Sequence, residues 1–293
     1  MEALYLGPMG RLMKIDVPTT GYSAALVEYG AEHVPLSGRR TKDVFSRRLE
    51  YEIETDGLTP RAAAWLEALY TEAISGPHYL RESTRKNLLR ARISSTSSAP
   101  LALNAIQTDW SLPGAGDSIA SVAATTLLLP SNTPGGELVP GPSKALSLTT
   151  TAASRTLVDT AVIPVIAGEQ LCFSAYKQSG AGVLTLEIVP YNAALVAQPP
   201  ITGTTTIAGT IPRLYVPYLV PADGSVVAVS VQLRAATAGT IVTDAWMLES
   251  GSAVPTPWHL GAGVPQVMIS GNLDISRHAV GPYSGYGYKL KEI

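Results

Sequence analysis

Glu50, Glu52, Glu54 and Asp56 form the densest acidic cluster in the chain. Two carboxylates about 5–10 Å apart are the starting point for glycoside hydrolysis. Their spacing argues against that role: they alternate with Leu49, Tyr51 and Ile53, which places them on the wet face of a strand with nothing to raise one carboxyl's pKa. A solvated face is the better reading. The four histidines, His33, His78, His259 and His278, show no metal-binding spacing such as HExxH. Cys172, the single cysteine, lies in a strand-like run where a small buried thiol is the default. The glycine pairs at 7–10, 114–116 and 261–263 lack the strand-then-helix context of a phosphate loop and read as turns. No cofactor is expected.

The basic groups Arg39, Arg40, Lys42, Arg47 and Arg48, and then Arg85, Lys86, Arg90 and Arg92, could contact phosphate. They are interleaved with acids, so a solvated or interface role is favoured. The aromatics of the middle of the chain suggest more. Trp110, Tyr176, Tyr191, Tyr215, Tyr218, Trp246 and Trp258 offer flat faces on which a sugar ring can stack. Trp246 and Tyr176 sit in apolar runs and read as core. Tyr191, Tyr215 and Tyr218 lie nearer turns and are the candidates for glycan contact, although for any one of them core packing is the commoner fate.

The elements that must hold these residues are written in the composition. The 293 residues carry a formal net charge of −2 with 46% hydrophobic content, a length that predicts two domains. Near-neutrality argues against sequence-specific or wrapping contacts with nucleic acid. No apolar run reaches the ~20 residues of a membrane helix, and the first residues lack the layout of a signal peptide, so synthesis in the cytoplasm is expected. Residues 1–95 hold 25 charged side chains, but 96–260 hold 14, and that middle stretch is rich in Ser and Thr. The change in charge density marks two kinds of domain, with linkers expected at 92–100 and 261–265.

In the first piece a helix is expected over 59–75, capped by Thr59, started by Pro60 and stopped by Gly76 and Pro77. Ala62, Trp65, Leu66, Leu69, Tyr70 and Ile74 form its apolar stripe. Strands are expected from Leu4 to Ile15, Ala24 to Tyr29, His33 to Leu36 and Phe45 to Thr55. The middle piece reads as all β, with runs such as Gln170 to Lys177, Val183 to Val189, Leu214 to Val220, Val226 to Arg234 and Ile241 to Leu248, in the rhythm of a sandwich or jelly roll. Residues 263–293 are too few for a core of their own and should close the first domain. The expected class is mainly β: a split β-sandwich domain with one helix, 1–95 plus 263–293, and an inserted jelly roll over 100–260.

Four motifs in the first piece, YGAEHVPLSGRRT at 29–41, TDGLTP at 55–60, AWLEALY at 64–70 and GPHYLRESTRKNLL at 76–89, resemble the amino-terminal domain of distal tail and minor tail proteins of long-tailed bacteriophages of actinobacteria. The ending GYGYKLKEI at 285–293 resembles that domain's closing strand. LCFSAYKQ at 171–178 and DAWMLESGSAVPTPW at 244–258 resemble strands of the carbohydrate-binding jelly rolls found in phage tail proteins. The resemblance implies a structural, non-enzymatic virion protein. It would form a homo-oligomeric ring, a hexamer, around the DNA passage at the tail tip, and would join tail tube to baseplate proteins. Arg39, Arg40, Arg47, Arg48, Glu50, Glu52, Arg85 and Lys86 would serve as interface residues. The rival expectation is a peripheral receptor-binding or cell-wall-glycan-binding tail module, and a glycosidase with an accessory domain is the more distant one.

Overall fold

The computed structural model describes residues 4–15, 19–33, 41–83, 85–95, 110–111, 114–124, 128–130, 138–140, 144–159, 161–203, 205–208, 211–277 and 284–293. The chain divides into two compact units, Met1–Ser83 with Pro265–Ile293, and Thr84–Val264. The fold is mainly β, as its alternating runs and turn residues require.

The first unit is one seven-stranded antiparallel sheet. Its strands run in the order Met13–Ile15, Leu4–Pro8, His78–Glu82, Gln266–Arg277, Ser284–Glu292, Thr41–Leu58 and Thr19–His33. The two strands from the end of the chain therefore sit in the middle of the sheet, where removing them would strip partners from both sides. Tyr51 and Ile53 point into the core while Glu52 and Glu54 face water, the period-2 pattern of a sheet with one wet face. The helix Pro60–Tyr70 packs Ala62, Ala63, Leu66 and Leu69 against that core.

Thr59 caps this helix by accepting from the Ala62 N–H at 3.3 Å. The helix ends at Tyr70, five residues short of the expected 75. Thr71 turns its hydroxyl back onto the Glu67 carbonyl at 2.7 Å, and Glu72 adopts φ +57°, a left-handed conformation that stops helical propagation. Tyr70, expected on the apolar stripe, is exposed.

The second unit is a sandwich. A six-stranded sheet, in the order Thr205–Ile207, Arg213–Leu219, Gln170–Ser179, Gly239–Ser250, Lys144–Thr150 and Ser118–Ala123, faces a sheet ordered Ile201–Gly203, Leu184–Tyr191, Ala228–Ala235, Arg155–Asp159 and Trp110–Ser111. Leu146, Phe173, Val216, Trp246 and Leu248 from the first meet Leu157, Leu186, Ile188, Val231 and Leu233 from the second in one core, the alternation that two packed sheets impose. Trp246 is core, as expected.

Residues 85–95, read from sequence as part of the first piece, lie in the second unit. Leu88, Leu89 and Ile93 join its core, and only Ala91–Ser94 is helical. Asn87 holds the segment by using its whole amide: Nδ2 donates to the Trp246 and His259 carbonyls at 3.0 and 2.8 Å, and Oδ1 accepts from the N–H groups of Leu89 and Leu248. Residues 261–264, read as a linker, also pack here. Gly263 donates to the Leu89 carbonyl at 2.9 Å, and a Cβ on Gly261 would lie 2.2 Å from that same oxygen, so only glycine allows the approach.

Candidate functional site

Antiparallel pairing of Leu184–Tyr191 with Ala228–Ala235 places Glu187 opposite Gln232, Thr185 opposite Arg234 and Val189 opposite Ser230. Leu186, Ile188, Val231 and Leu233 turn into the core, so these polar partners and Tyr191 occupy the outer face. The flanking strands extend the rows: Thr202 lies beside Glu187, Val158 beside Gln232 and Thr156 beside Arg234. The result is an outer face of four strands on which polar side chains are interrupted by Val158 and Val189.

The Glu187 carboxylate accepts from the Gln232 amide and from Arg234 Nη1, the latter at 3.4 Å. Arg234 Nη2 also donates to the Ser154 hydroxyl at 3.2 Å. The Tyr191 hydroxyl meets Ser230 Oγ at 3.2 Å. Glu187 and Ser230 are buried beneath their neighbours, whereas Gln232, Arg234 and Tyr191 stay partly open. Fixed amide, guanidinium and hydroxyl groups beside a ring can bind a polyol: the polar groups take its hydroxyls and the ring covers an apolar face.

The three tyrosines singled out from sequence do not form one platform. Tyr191 belongs to the face just described. Tyr218 alternates with Leu219 and packs against the sandwich core, and burial raises its pKa, with Asp223 adding to the shift. Tyr215 points from the outer side of the six-stranded sheet, opposite Ser174. Nothing in the local sequence distinguishes the three, because which face a residue takes depends on register.

Part of the outer side of the six-stranded sheet is covered by its own chain. Thr256 donates its N–H and hydroxyl to the Glu249 carboxylate at 2.8 and 2.6 Å. Arg213 donates to the Thr256 carbonyl at 2.5 Å and to Ser174 Oγ at 2.8 Å, with its guanidinium 5.2 Å from the Tyr176 ring centre. Trp258 donates to the Trp246 carbonyl at 3.3 Å. Tyr176 thus faces outward under this segment instead of into the core. Burial lowers the Arg213 pKa and pushes the Cys172 thiol up to about 12, which leaves Cys172 a protonated, inert group.

The charged residues expected at an interface separate between the units. In the first, Glu52 pairs with Lys289 at 3.0 Å and Glu50 with Lys291 at 3.6 Å. Glu50 also accepts from the Tyr29 hydroxyl, the main reason its pKa is lowered. Arg48 reaches the Glu292 carbonyl at 3.5 Å. In the second, Arg85 donates to the Ala262 carbonyl at 3.1 Å and Lys86 is exposed. Arg39 and Arg40 lie outside the described residues, as does the side chain of Arg47. Asp56, His33 and Trp110 have described backbones only, and His278 lies outside the description. Among the described residues no three His, Cys, Asp or Glu groups gather to hold a metal, and no helix is long and apolar enough to cross a membrane.

No protein-family model matches the chain, and no curated protein matches it in sequence. Its structural neighbours are a phage tailspike domain and carbohydrate-binding modules. One is the enzymatically active domain of tailspike protein 4 of bacteriophage CBA120, with a TM-score of 0.40 and 11% identity over 56% of this chain and 21% of that one. A second is the CBM22-1 and GH10 portion of a Clostridium thermocellum endo-1,4-β-D-xylanase complexed with xylohexaose, at 0.38 and 10% over 57% and 29%. A third is a CBM22-1 xylan-binding domain from Paenibacillus barcinonensis, at 0.36 and 14% over 58% and 99%. This chain thus matches about a fifth of the tailspike chain and under a third of the xylanase chain. Likeness at these scores carries no argument about activity or ligand.

Proposed function

We propose that the protein is a glycan-binding module of a bacteriophage tail, with the second unit contacting cell-wall polysaccharide and the first attaching it to the tail tip of the virion. The observation that carries this reading is the outer face of Leu184–Tyr191 and Ala228–Ala235, where Gln232 and Arg234 stand partly open over a fixed Glu187 and Tyr191 stands partly open farther along the same face, against Ser230. The motifs at 29–41 and 76–89, which resemble those of tail proteins, support the attachment. A single site of this kind binds weakly, at about −4 to −6 kcal/mol. Several copies on one particle would raise the apparent affinity by roughly 10² to 10⁴.

The test is co-sedimentation of the full chain with insoluble actinobacterial cell walls. Tyr191→Ala combined with Gln232→Ala should abolish adhesion, while Tyr215→Ala on the opposite sheet should leave it intact. A parent protein that does not sediment, or a double variant that sediments equally well, refutes the glycan reading.

A ring built through the first unit is a second reading, favoured by the strand Thr19–His33. It is fifteen residues long and outermost in its sheet, and it exposes Leu26 at 62%, a feature that invites pairing with another copy. A ring predicts a solution mass that is a multiple of 30.7 kDa; a monomer at working concentration speaks against it.

A further inference from the structure

Along one side of the helix Pro60–Tyr70, from Thr59 to Ile74, the first unit carries an open bowl of about 860 Å³. Arg11, Lys14 and Arg61 stand exposed on its rim, and Met13, Trp65 and Ile74 lie half-buried within it. No acidic residue is among the described residues that line it, and the first turn of the helix has none either. Three cations, with no described carboxylate to offset them, therefore act on the same opening.

The indole is held in place from behind. Trp65 Nε1 donates to the Leu6 carbonyl at 2.9 Å, and the Arg11 guanidinium lies 5.7 Å from the ring centre. Gly7 makes room for this arrangement: at φ +151°, a Cβ there would lie 2.9 Å from Trp65 Cζ2 and 2.5 Å from the Arg11 carbonyl oxygen. A bulky apolar surface is thus fixed under a positive rim.

We infer that this bowl docks an acidic peptide segment of a neighbouring protein, with one apolar side chain set against Trp65 and flanking carboxylates on the cationic rim. A free small molecule needs a site that encloses most of its surface, whereas an extended segment can lie across an open bowl and lower a single side chain into it. Met13 and Ile74 offer nothing to the hydroxyls of a sugar, and an inorganic anion would leave the apolar floor unused. This site lies in the other unit from the proposed glycan face and uses different chemistry, so the two can fail separately.

The test titrates the full chain with a dye-labelled synthetic peptide, Glu-Asp-Leu-Phe-Glu-Asp, and with the same peptide carrying Ser in place of Leu and Phe. The first should bind, and the second should bind at least about tenfold more weakly. Arg11→Glu with Arg61→Glu should weaken the first peptide about tenfold or more and flatten its salt dependence. Ala64→Trp, which fills the bowl and keeps its charge, should do the same without the change in salt dependence. Both sets alter exposed positions, and unchanged thermal unfolding would show that the fold is kept. Equal binding of the two peptides, full competition by millimolar sodium phosphate, indifference to the variants, or no binding at millimolar peptide would each overturn the inference.

Discussion

In the first unit Lys289 and Glu52 meet at 3.0 Å with more than half of each side chain in water. In the second, Arg213 and Glu249 are 5% and 1% exposed, and each is held by fixed partners on the covering segment around Thr256. Asp159 and Glu187 are likewise buried, bonded to Arg90 at 2.8 Å and to Arg234 at 3.4 Å. Among the described residues Arg81 and Glu82 are buried in the first unit, but the second, with fewer charges overall, buries more of them. A screened pair on an open sheet contributes little, whereas a buried ion that loses its partners keeps its desolvation cost.

Breaking that contrast at its strongest point should have the largest effect. Arg213→Ala leaves the Thr256 carbonyl and Ser174 hydroxyl without their donor and should destabilise the second unit by about 4 kcal/mol. Cys172 supplies a local readout, because it is buried on the strand opposite Arg213–Leu219 and is the only thiol in the chain. Its labelling by a thiol reagent should accelerate strongly in the variant, and an unchanged labelling rate would show that the buried cation is dispensable.

Next in size is an apolar truncation in the first unit. Leu66 is fully buried beneath the helix, so Leu66→Ala should cost about 3 kcal/mol. Hydrogen exchange should rise across Pro60–Tyr70 and the strands below it, while Cys172 labelling stays at the parent rate. Acceleration at Cys172 would mean that the two units unfold together. Smaller still, Lys289→Ala with Lys291→Ala should leave thermal unfolding unshifted, because water already screens both partners of each pair; a clear drop would make the open ladder a structural element after all.

The same contrast explains what could be read from sequence. Alternation at Leu49–Glu54, the cap at Thr59 and the long runs around Phe173, Ile188 and Val231 are local signals, and the elements follow them. The position of Leu88, Leu89 and Ile93 was not legible, because the segment has no period of its own and is recruited by Asn87 and by the glycine approach at Gly261. The helix overshoots because the left-handed turn at Glu72 carries no glycine to announce it. The candidate glycan face was half legible. Tyr191 was visible as an aromatic near a turn, but Gln232 and Arg234 join it only through a strand pairing more than forty positions away. Tyr215 and Tyr218 resembled it in sequence and were separated by register alone.

The finest comparison concerns the two histidines whose side chains are described, His78 in the first unit and His259 in the second. Burial lowers both pKa values from the usual 6.5. For His78, Nδ1 is buried with no hydrogen-bond partner among the described residues, so protonating it would place an unpaired N–H in the interior. Nearby carboxylates oppose burial: Glu72 partly offsets the shift at His78, and Glu249 does so at His259. With the folded pKa below 6.5, the unfolded chain binds the proton first as pH falls. Stability is then complete above about pH 6.5 and declines as pH drops toward the folded pKa. His78→Gln should remove that decline from hydrogen exchange at His78–Glu82 while the second unit keeps its own. NMR titration should place the His78 midpoint below that of an unfolded peptide. A midpoint at or above the peptide value would mean that the neighbouring carboxylate outweighs burial, and the sign of the pH dependence in the first unit would reverse.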